Sequence, residues 1–152
     1  PVLAKLLSIT SGPVLELGCG FYSTIFLHWM CYPKRRKLVT YENDPGWFKF
    51  AIQFKNSFHD VYFVEDWDKI DLTSPWSIAL VDHSPEYRRV LEVRRLRHTD
   101  YVVLHDSEPR QEKRYHYHAS RRFYRYKWQY RNAHLPYTSI WSDKVDLTGF
   151  EV

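Results

Sequence analysis

The stretch Val14-Leu15-Glu16-Leu17-Gly18-Cys19-Gly20-Phe21-Tyr22-Ser23-Thr24 leaves this chain the fewest options. Its apolar, extended-preferring run ends in two closely spaced glycines and a pair of hydroxyls, the pattern of a buried parallel strand, a tight turn and a helix start. Gly18 and Gly20 let the chain turn with its backbone exposed, so a ligand can approach the main chain there. In an open α/β sheet the crevice beyond the carboxyl ends of the strands is where ligands bind.

Strand and helix alternate around this turn. Residues 3–8 read as a helix beside the first strand, with Ser11-Gly12-Pro13 as connector. After the glycine turn, Ile25, Phe26, Trp29 and Met30 recur at helical spacing and are expected to face the core, with Tyr32-Pro33 ending the helix. Lys34-Arg35-Arg36-Lys37 reads as an exposed basic turn, with a phosphate contact as the alternative. Lys37 to Glu42 is the second strand; Asp44 caps and Pro45 starts a helix to Lys55 that turns Phe48, Ala51 and Ile52 inward. Val61–Val64, Trp76–Val81 and Tyr101–Leu104 are strands three to five. Between the last two, Ser84-Pro85-Glu86 opens a helix to His98 that packs Tyr87, Val90, Leu91 and Leu96 and turns out Arg88, Arg89, Arg94, Arg95 and Arg97.

From Arg122 to Arg131 the order alternates, with Tyr124, Tyr126, Trp128 and Tyr130 on one side and Arg125, Lys127, Gln129 and Arg131 on the other. That is a one-sided strand, and its aromatic face suits the core or a homodimer surface better than stacked bases. A turn at Asn132 to Pro136 leads into Tyr137–Trp141, a further strand. The sum is a single α/β domain over residues 1–152: a doubly wound, mostly parallel sheet of about seven strands with a C-terminal antiparallel hairpin.

Glu16, two residues before the first glycine, and Glu42, at the end of the second strand, sharpen the ligand class. The residues resemble motif I of the class I S-adenosylmethionine-dependent methyltransferases, here as Glu-x-Gly-x-Gly-x-x-Ser-Thr, which implies a Rossmann-like fold and that cofactor. The resemblance covers roughly residues 12–108. By it, Glu16, Gly18, Gly20 and Thr24 hold the methionyl end, Glu42 with Asn43 beside it takes the ribose, and Asp66 and Trp67 take the adenine. An acid about 20 residues past a glycine turn accepts from ribose hydroxyls in nucleoside-binding sheets generally.

The strands that end at Gly18, Asp82-His83 and His105-Asp106 meet at one crevice in such a sheet, so Asp82, His83, His105 and Asp106 are the catalytic candidates. Methyl transfer requires alignment of acceptor and donor and removal of the acceptor's proton. A histidine can take that proton, or a carboxylate-held divalent metal can lower the hydroxyl pKa. The acids resemble the metal ligands of catechol-type O-methyltransferases, but Ser107 stands where that family commonly has asparagine, and the metal stays open. Asp82-His83-Ser84-Pro85 is not the Asp-Pro-Pro-Tyr type of many amino-group methyltransferases, which favours an oxygen acceptor on a small molecule or sugar. Ser107–Ser120 reads as a lid over the acceptor; His116 and His118 would share a strand face but lack a third metal ligand.

Residues 1–85 hold 8 Lys/Arg against 9 Asp/Glu and residues 86–152 hold 14 against 9, within a net charge of +4. The positive second half suits an acidic partner, nucleic acid included. No stretch approaches the length of a membrane span, no basic-then-apolar leader opens the sequence, and two cysteines make no disulfide framework, so a cytoplasmic enzyme is expected. Three rivals stay open: a nucleic-acid-binding module or RNA methyltransferase, a catalytically silent relative, and a nicotinamide oxidoreductase, against which Ser23 counts as the missing third glycine.

Overall fold

Apolar strands that are buried at every position belong in the middle of a sheet covered on both faces, and β1 (Val14–Leu17), β4 (Ile78–Val81) and β5 (Tyr101–Leu104) are of that kind. In the computed structural model, which describes residues 1–131 and 136–152, they lie side by side. With β2 (Leu38–Glu42), β3 (His59–Phe63), β6 (Tyr126–Tyr130) and β7 (Thr138–Ser142) they form one seven-stranded sheet, ordered β3-β2-β1-β4-β5-β7-β6. Strands β1 to β5 are parallel; β7 runs antiparallel to both β5 and β6. The order reverses between β1 and β4, so the crevice opens where the glycine turn sits.

Alternation along each strand separates two cores. Leu15, Leu17, Val81, Val102 and Leu104 face one, and Val14, Ile78, Leu80 and Val103 face the other. Helix α1 (Val2–Ile9) and α2 (Ser23–Cys31) pack on the second through Leu6, Leu7 and Leu27. On the first lie α4 (Arg89–Arg95), α5 (Glu112–Tyr115) and α6 (His118–Arg121), through residues such as Val93 and Tyr115. Helix α3 (Pro45–Ala51) starts as its sequence requires, with the Asp44 carboxylate accepting from the Trp47 N–H at 2.9 Å. No described helix is long and apolar enough to cross a membrane.

Several expectations need correction. On α2 the buried positions are Thr24, Leu27, His28 and Cys31, and Ile25, Trp29 and Met30 are exposed. The reason is polar pairing: Thr24 and His28 have buried partners on the sheet, so this stripe turns in despite the aromatics beside it. Strand β3 begins at His59, two residues before Val61. The helix expected from Ser84 begins as a 3-10 turn at Glu86–Arg88 and ends at Arg95; Tyr87 and Leu91 are exposed, whereas Arg89 is buried.

Arg36 is no surface residue either. It donates to the Thr10 carbonyl at 3.2 Å and the Thr10 hydroxyl at 2.8 Å, tying α1 to β2. Tyr126, Trp128 and Tyr130 pack partly buried on the second core, and Tyr124 is buried in the first with its hydroxyl on the Val93 carbonyl at 2.5 Å. The expected turn at Asn132 to Pro136 falls on residues 132–135, outside the described residues.

Candidate functional site

The site is built on the ends of β1, β2, β4 and β5. Gly18 leaves β1 with φ 85°, and a Cβ there would stand 2.5 Å from the Cα of His83. The loops after β1 and β4 therefore meet backbone to backbone, which only glycine permits. At Gly20 an added Cβ would meet nothing nearer than the Ser23 hydroxyl at 3.3 Å. Its backbone faces a cleft of about 800 Å³ whose walls include Cys19, Gly20, Trp47, Asp82, His105 and Tyr130.

Glu42 ties the second strand to that loop. Its Oε2 accepts from the Cys19 N–H at 2.8 Å, and Oε1 accepts from the Asn43 and Asp44 N–H groups at 2.7 Å. The carboxylate thus faces the glycine bend. Beside it, Asn43 Oδ1 is a buried acceptor with no hydrogen-bond donor among the described residues.

Beneath the loop runs a buried polar chain. The Gly20 N–H donates to Thr24 Oγ1 at 3.0 Å, and the Thr24 and Thr40 hydroxyls donate to Glu16, at 3.0 Å and 2.7 Å on Oε2. Thr40 Oγ1 also lies 2.9 Å from His59 Nε2, and His59 Nδ1 lies 3.0 Å from His28 Nδ1. Burial pushes the Glu16 carboxyl up to about 7, against its threonine hydrogen bonds, and pushes His59 down to about 4. Glu16 and Thr24 were expected to touch the methionyl end of a cofactor. Both lie below the cleft wall with their oxygens bonded to each other, so they shape the loop from underneath.

Asp82, His105 and Asp106 do converge, with one ligand atom from each within 4.8 Å of the others. His83 does not join them. It is buried, its ring centroid lies 4.1 Å from that of Trp67, and Nε2 is 3.1 Å from Glu92 Oε2. Nδ1 has no partner among the described residues, and burial lowers the pKa of the ring, which favours the neutral form that donates Nε2–H to Glu92. Trp67, expected against the adenine, sits in the first core with its indole N–H on the Ser84 carbonyl at 3.1 Å. Asp66 caps the 3-10 turn Trp67–Lys69 by accepting from the Asp68 N–H at 3.0 Å, and neither it nor Glu42 nor Asn43 lines the cleft.

Three residues of the cluster escaped the sequence reading. Arg89 sends Nε to the His83 carbonyl at 2.7 Å and Nη2 to Asp82 Oδ1 at 2.9 Å, with Nη1 3.9 Å from Asp106 Oδ2. Tyr115 donates its hydroxyl to Asp106 Oδ2 at 2.8 Å, and the Arg89 guanidinium stacks 4.5 Å above its ring. Tyr117 donates to the His105 carbonyl at 3.2 Å. The expected lid is therefore a packed cover: Tyr115 and Tyr117 are buried, and His116 and His118 sit at helical turns rather than on a strand face. For Arg89 a signal existed, since 89, 93 and 96 share one helical face with buried Val93 and Leu96.

The cluster does not fit a divalent metal. A cation, Arg89, already sits on Asp82 and beside Asp106, and Tyr115 takes one Asp106 oxygen, so the protein's own groups occupy the lone pairs a metal would need. Ser107, at the position of a family ligand, is bonded instead to Ser139 at 2.9 Å and to Gln129.

A parallel sheet with its switch point at β1, an antiparallel β7 beside β5, and acids at the ends of β1 and β2 make this the class I methyltransferase fold, Rossmann-like, as the sequence implied. Solved structures agree. The METTL16 methyltransferase domain superposes with a TM-score of 0.64 at 11% identity, over 95% of this chain and 66% of that one. Streptococcus pneumoniae Sp1610, a candidate tRNA (m1A22) methyltransferase solved with S-adenosyl-L-methionine, gives 0.59 at 11% identity over 92% of this chain and 70% of that one. A methyltransferase from Pyrococcus furiosus gives 0.61 at 15% identity over 95% and 82%. The chain thus spans about two thirds of the first two, and the likeness at such identities is one of fold. No family model matches the sequence, and no curated protein does.

Proposed function

We propose that this domain binds S-adenosylmethionine and transfers its methyl group to a hydroxyl, most simply that of a sugar. The observation that carries the reading is the Glu42 carboxylate turned onto the glycine bend, next to the unpartnered acceptor Asn43 Oδ1. The open face of Gly20 admits a nucleoside with an amino-acid tail, whose ribose hydroxyls would donate to the Glu42 carboxylate behind that loop. Asp66 stays the candidate for the adenine amine. When bound, the cofactor supplies an electrophilic sulfonium methyl group.

The chain's own residues would manage the proton. His105 lines the cleft, half-exposed, with Nε2 3.7 Å from Asp106 Oδ1. Its ring would take the acceptor's O–H proton as the acceptor oxygen bonds to the methyl carbon and the methyl–sulfur bond breaks to leave a neutral thioether, and the Asp82 and Asp106 carboxylates would stabilise the resulting imidazolium. Arg89 and Tyr115 hold both carboxylates in place. Isothermal titration with S-adenosylmethionine and its demethylated product tests the reading: micromolar heats that Glu42→Ala removes support it, and a folded sample silent to both ligands refutes it.

A nucleic-acid acceptor is favoured by a separate observation. Proteins of like fold include a candidate tRNA methyltransferase and the methyltransferase domain of a bacterial Hen1, and most of the positive charge lies in residues 86–152.

A further inference from the structure

A second cleft, of about 670 Å³, opens on the other side of the β5 end. Its walls include Ser107, Tyr117, Arg121, Lys127, Arg131 and the acid Glu112. Ser107 follows Asp106, and Tyr117 holds the His105 carbonyl, so this cleft begins one residue from the cluster of the first.

Its charge is uncompensated. Upstream, Arg88, Arg89, Arg95, Arg97, Arg110 and Arg114 each have a carboxylate within 4.0 Å. Among the described residues, none of Arg121, Arg122, Arg125, Lys127 or Arg131 has one. The lone acid of the cleft, Glu112, is committed to His118 through both its ring and its backbone N–H. Lys127 is held with its ammonium on the Tyr124 carbonyl, and Arg131 is braced by Gln129 Oε1 at 2.9 Å. Lys127 and Arg131 are thus held in place, and among the described residues no carboxylate pairs with any of the cleft's three cations.

We infer that this cleft binds the phosphodiester backbone of a single-stranded nucleic acid, with Arg121, Lys127 and Arg131 on successive phosphates. The inference rests on the nucleic-acid reading of the acceptor and names where that acceptor's chain would lie. The cleft runs between α6 and the edge strand β6, and an enzyme acting on a nucleotide needs it out of the stack, which favours a single strand over a duplex. A chain laid there leads past Ser107 and Tyr117 to His105.

Fluorescence anisotropy with a labelled twelve-nucleotide RNA of mixed sequence, titrated from 50 to 200 mM salt, is the test. Three phosphate contacts give a salt slope of about −2 for a single strand, or roughly twentyfold weaker binding across that range. The double variant Arg121→Glu/Arg131→Glu should weaken binding more than tenfold and reduce the slope to about −0.7, leaving Lys127 alone. Its thermal midpoint and its heat with the demethylated cofactor should match the wild type, since neither side chain touches the first cleft. No RNA binding by the wild type, equal binding by the variant, a mononucleotide that binds as tightly as the oligomer, or binding only to phosphatidylserine vesicles would each overturn the assignment. Should RNA bind as stated while the cofactor gives no heat, the methyl-transfer reading fails and this cleft stands.

Discussion

The guanidinium of Arg89 stands 2.9 Å from Oδ1 of Asp82, the arginine buried and the aspartate partly open to the cleft. Burial raises the Asp82 pKa and disfavours the arginine's charge, yet Tyr117 and Asp82 keep the Arg89 pKa above its ordinary value. A partly buried pair of this kind is worth little as a net gain but is costly to break from one side.

Arg89→Met should therefore destabilise the domain by about 1–3 kcal/mol, because it takes the ion pair from a partly exposed Asp82 and a buried donor from the His83 carbonyl. Adding Asp82→Asn should recover a good part of that loss, since the stranded charge is then removed. Chemical denaturation of the single and double variants reads both. Equal stability of Arg89→Met and wild type would mean that the pair does not organise the site.

The two histidines at the ends of β4 and β5 should separate by function. His83→Leu removes a buried donor to Glu92 and should cost about 1–3 kcal/mol in stability. His105→Gln, at a half-exposed position, should leave the thermal midpoint nearly unchanged and slow methyl transfer by about 10²-fold or more. Labelled methyl transfer into RNA and polysaccharide, beside a melting curve, distinguishes them. A His83 variant that melts normally but fails to transfer would reverse the assignment.

Much of this molecule was legible because hydrophobic strands and their punctuation are local. Val14–Leu17 and Tyr101–Leu104 had the right bounds, and Asp44-Pro45 announced the start of α3 correctly. What failed was orientation set by long-range polar pairing. Thr24 and His28 turn inward because Glu16 and His59, on other elements, meet them. Arg89 turns inward because Asp82 and Asp106 lie at two strand ends. His83 was grouped with the acids from its place after a strand, and its ring instead meets Glu92, nine residues on and legible only once α4 folds back.

The two motif glycines should also behave differently. Gly18→Ala places a Cβ at φ 85° against the His83 backbone and should cost about 2 kcal/mol or more in stability. Gly20→Ala meets only the end of Ser23 and should melt like the wild type. Its effect belongs to the ligand: a methyl group where the cofactor approaches the main chain should weaken binding about tenfold, or about 1.4 kcal/mol. Calorimetry and thermal denaturation of both variants make the comparison. A Gly20 variant with undiminished cofactor affinity would move the cofactor off this loop.

The pH dependence of stability tests the buried chain under that loop. Glu16 has a folded pKa of about 7 against an ordinary 4.5, so the native state holds its proton more tightly, and this contribution is lost as pH rises from 4.5 to 7. His59 has a folded pKa of about 4 against 6.5, so its contribution is present above 6.5 and lost as pH falls toward 4. Thr40 bridges the two, and between pH 4.5 and 6.5 their slopes oppose each other. In the wild type the pair should thus add little net slope. Glu16→Gln unmasks the histidine, so stability should fall with acidification by up to about 1.4 kcal/mol per pH unit below 6.5. His59→Gln unmasks the acid, and stability should fall by a similar amount per unit as pH rises from 4.5 to 7. Denaturant midpoints of the three proteins across this pH range decide it, because opposite slopes in the two variants arise when the carboxyl and the imidazole are each buried as the structure has them. Parallel slopes would place one of them in contact with solvent and undo the chain that holds Thr24 beneath Gly20.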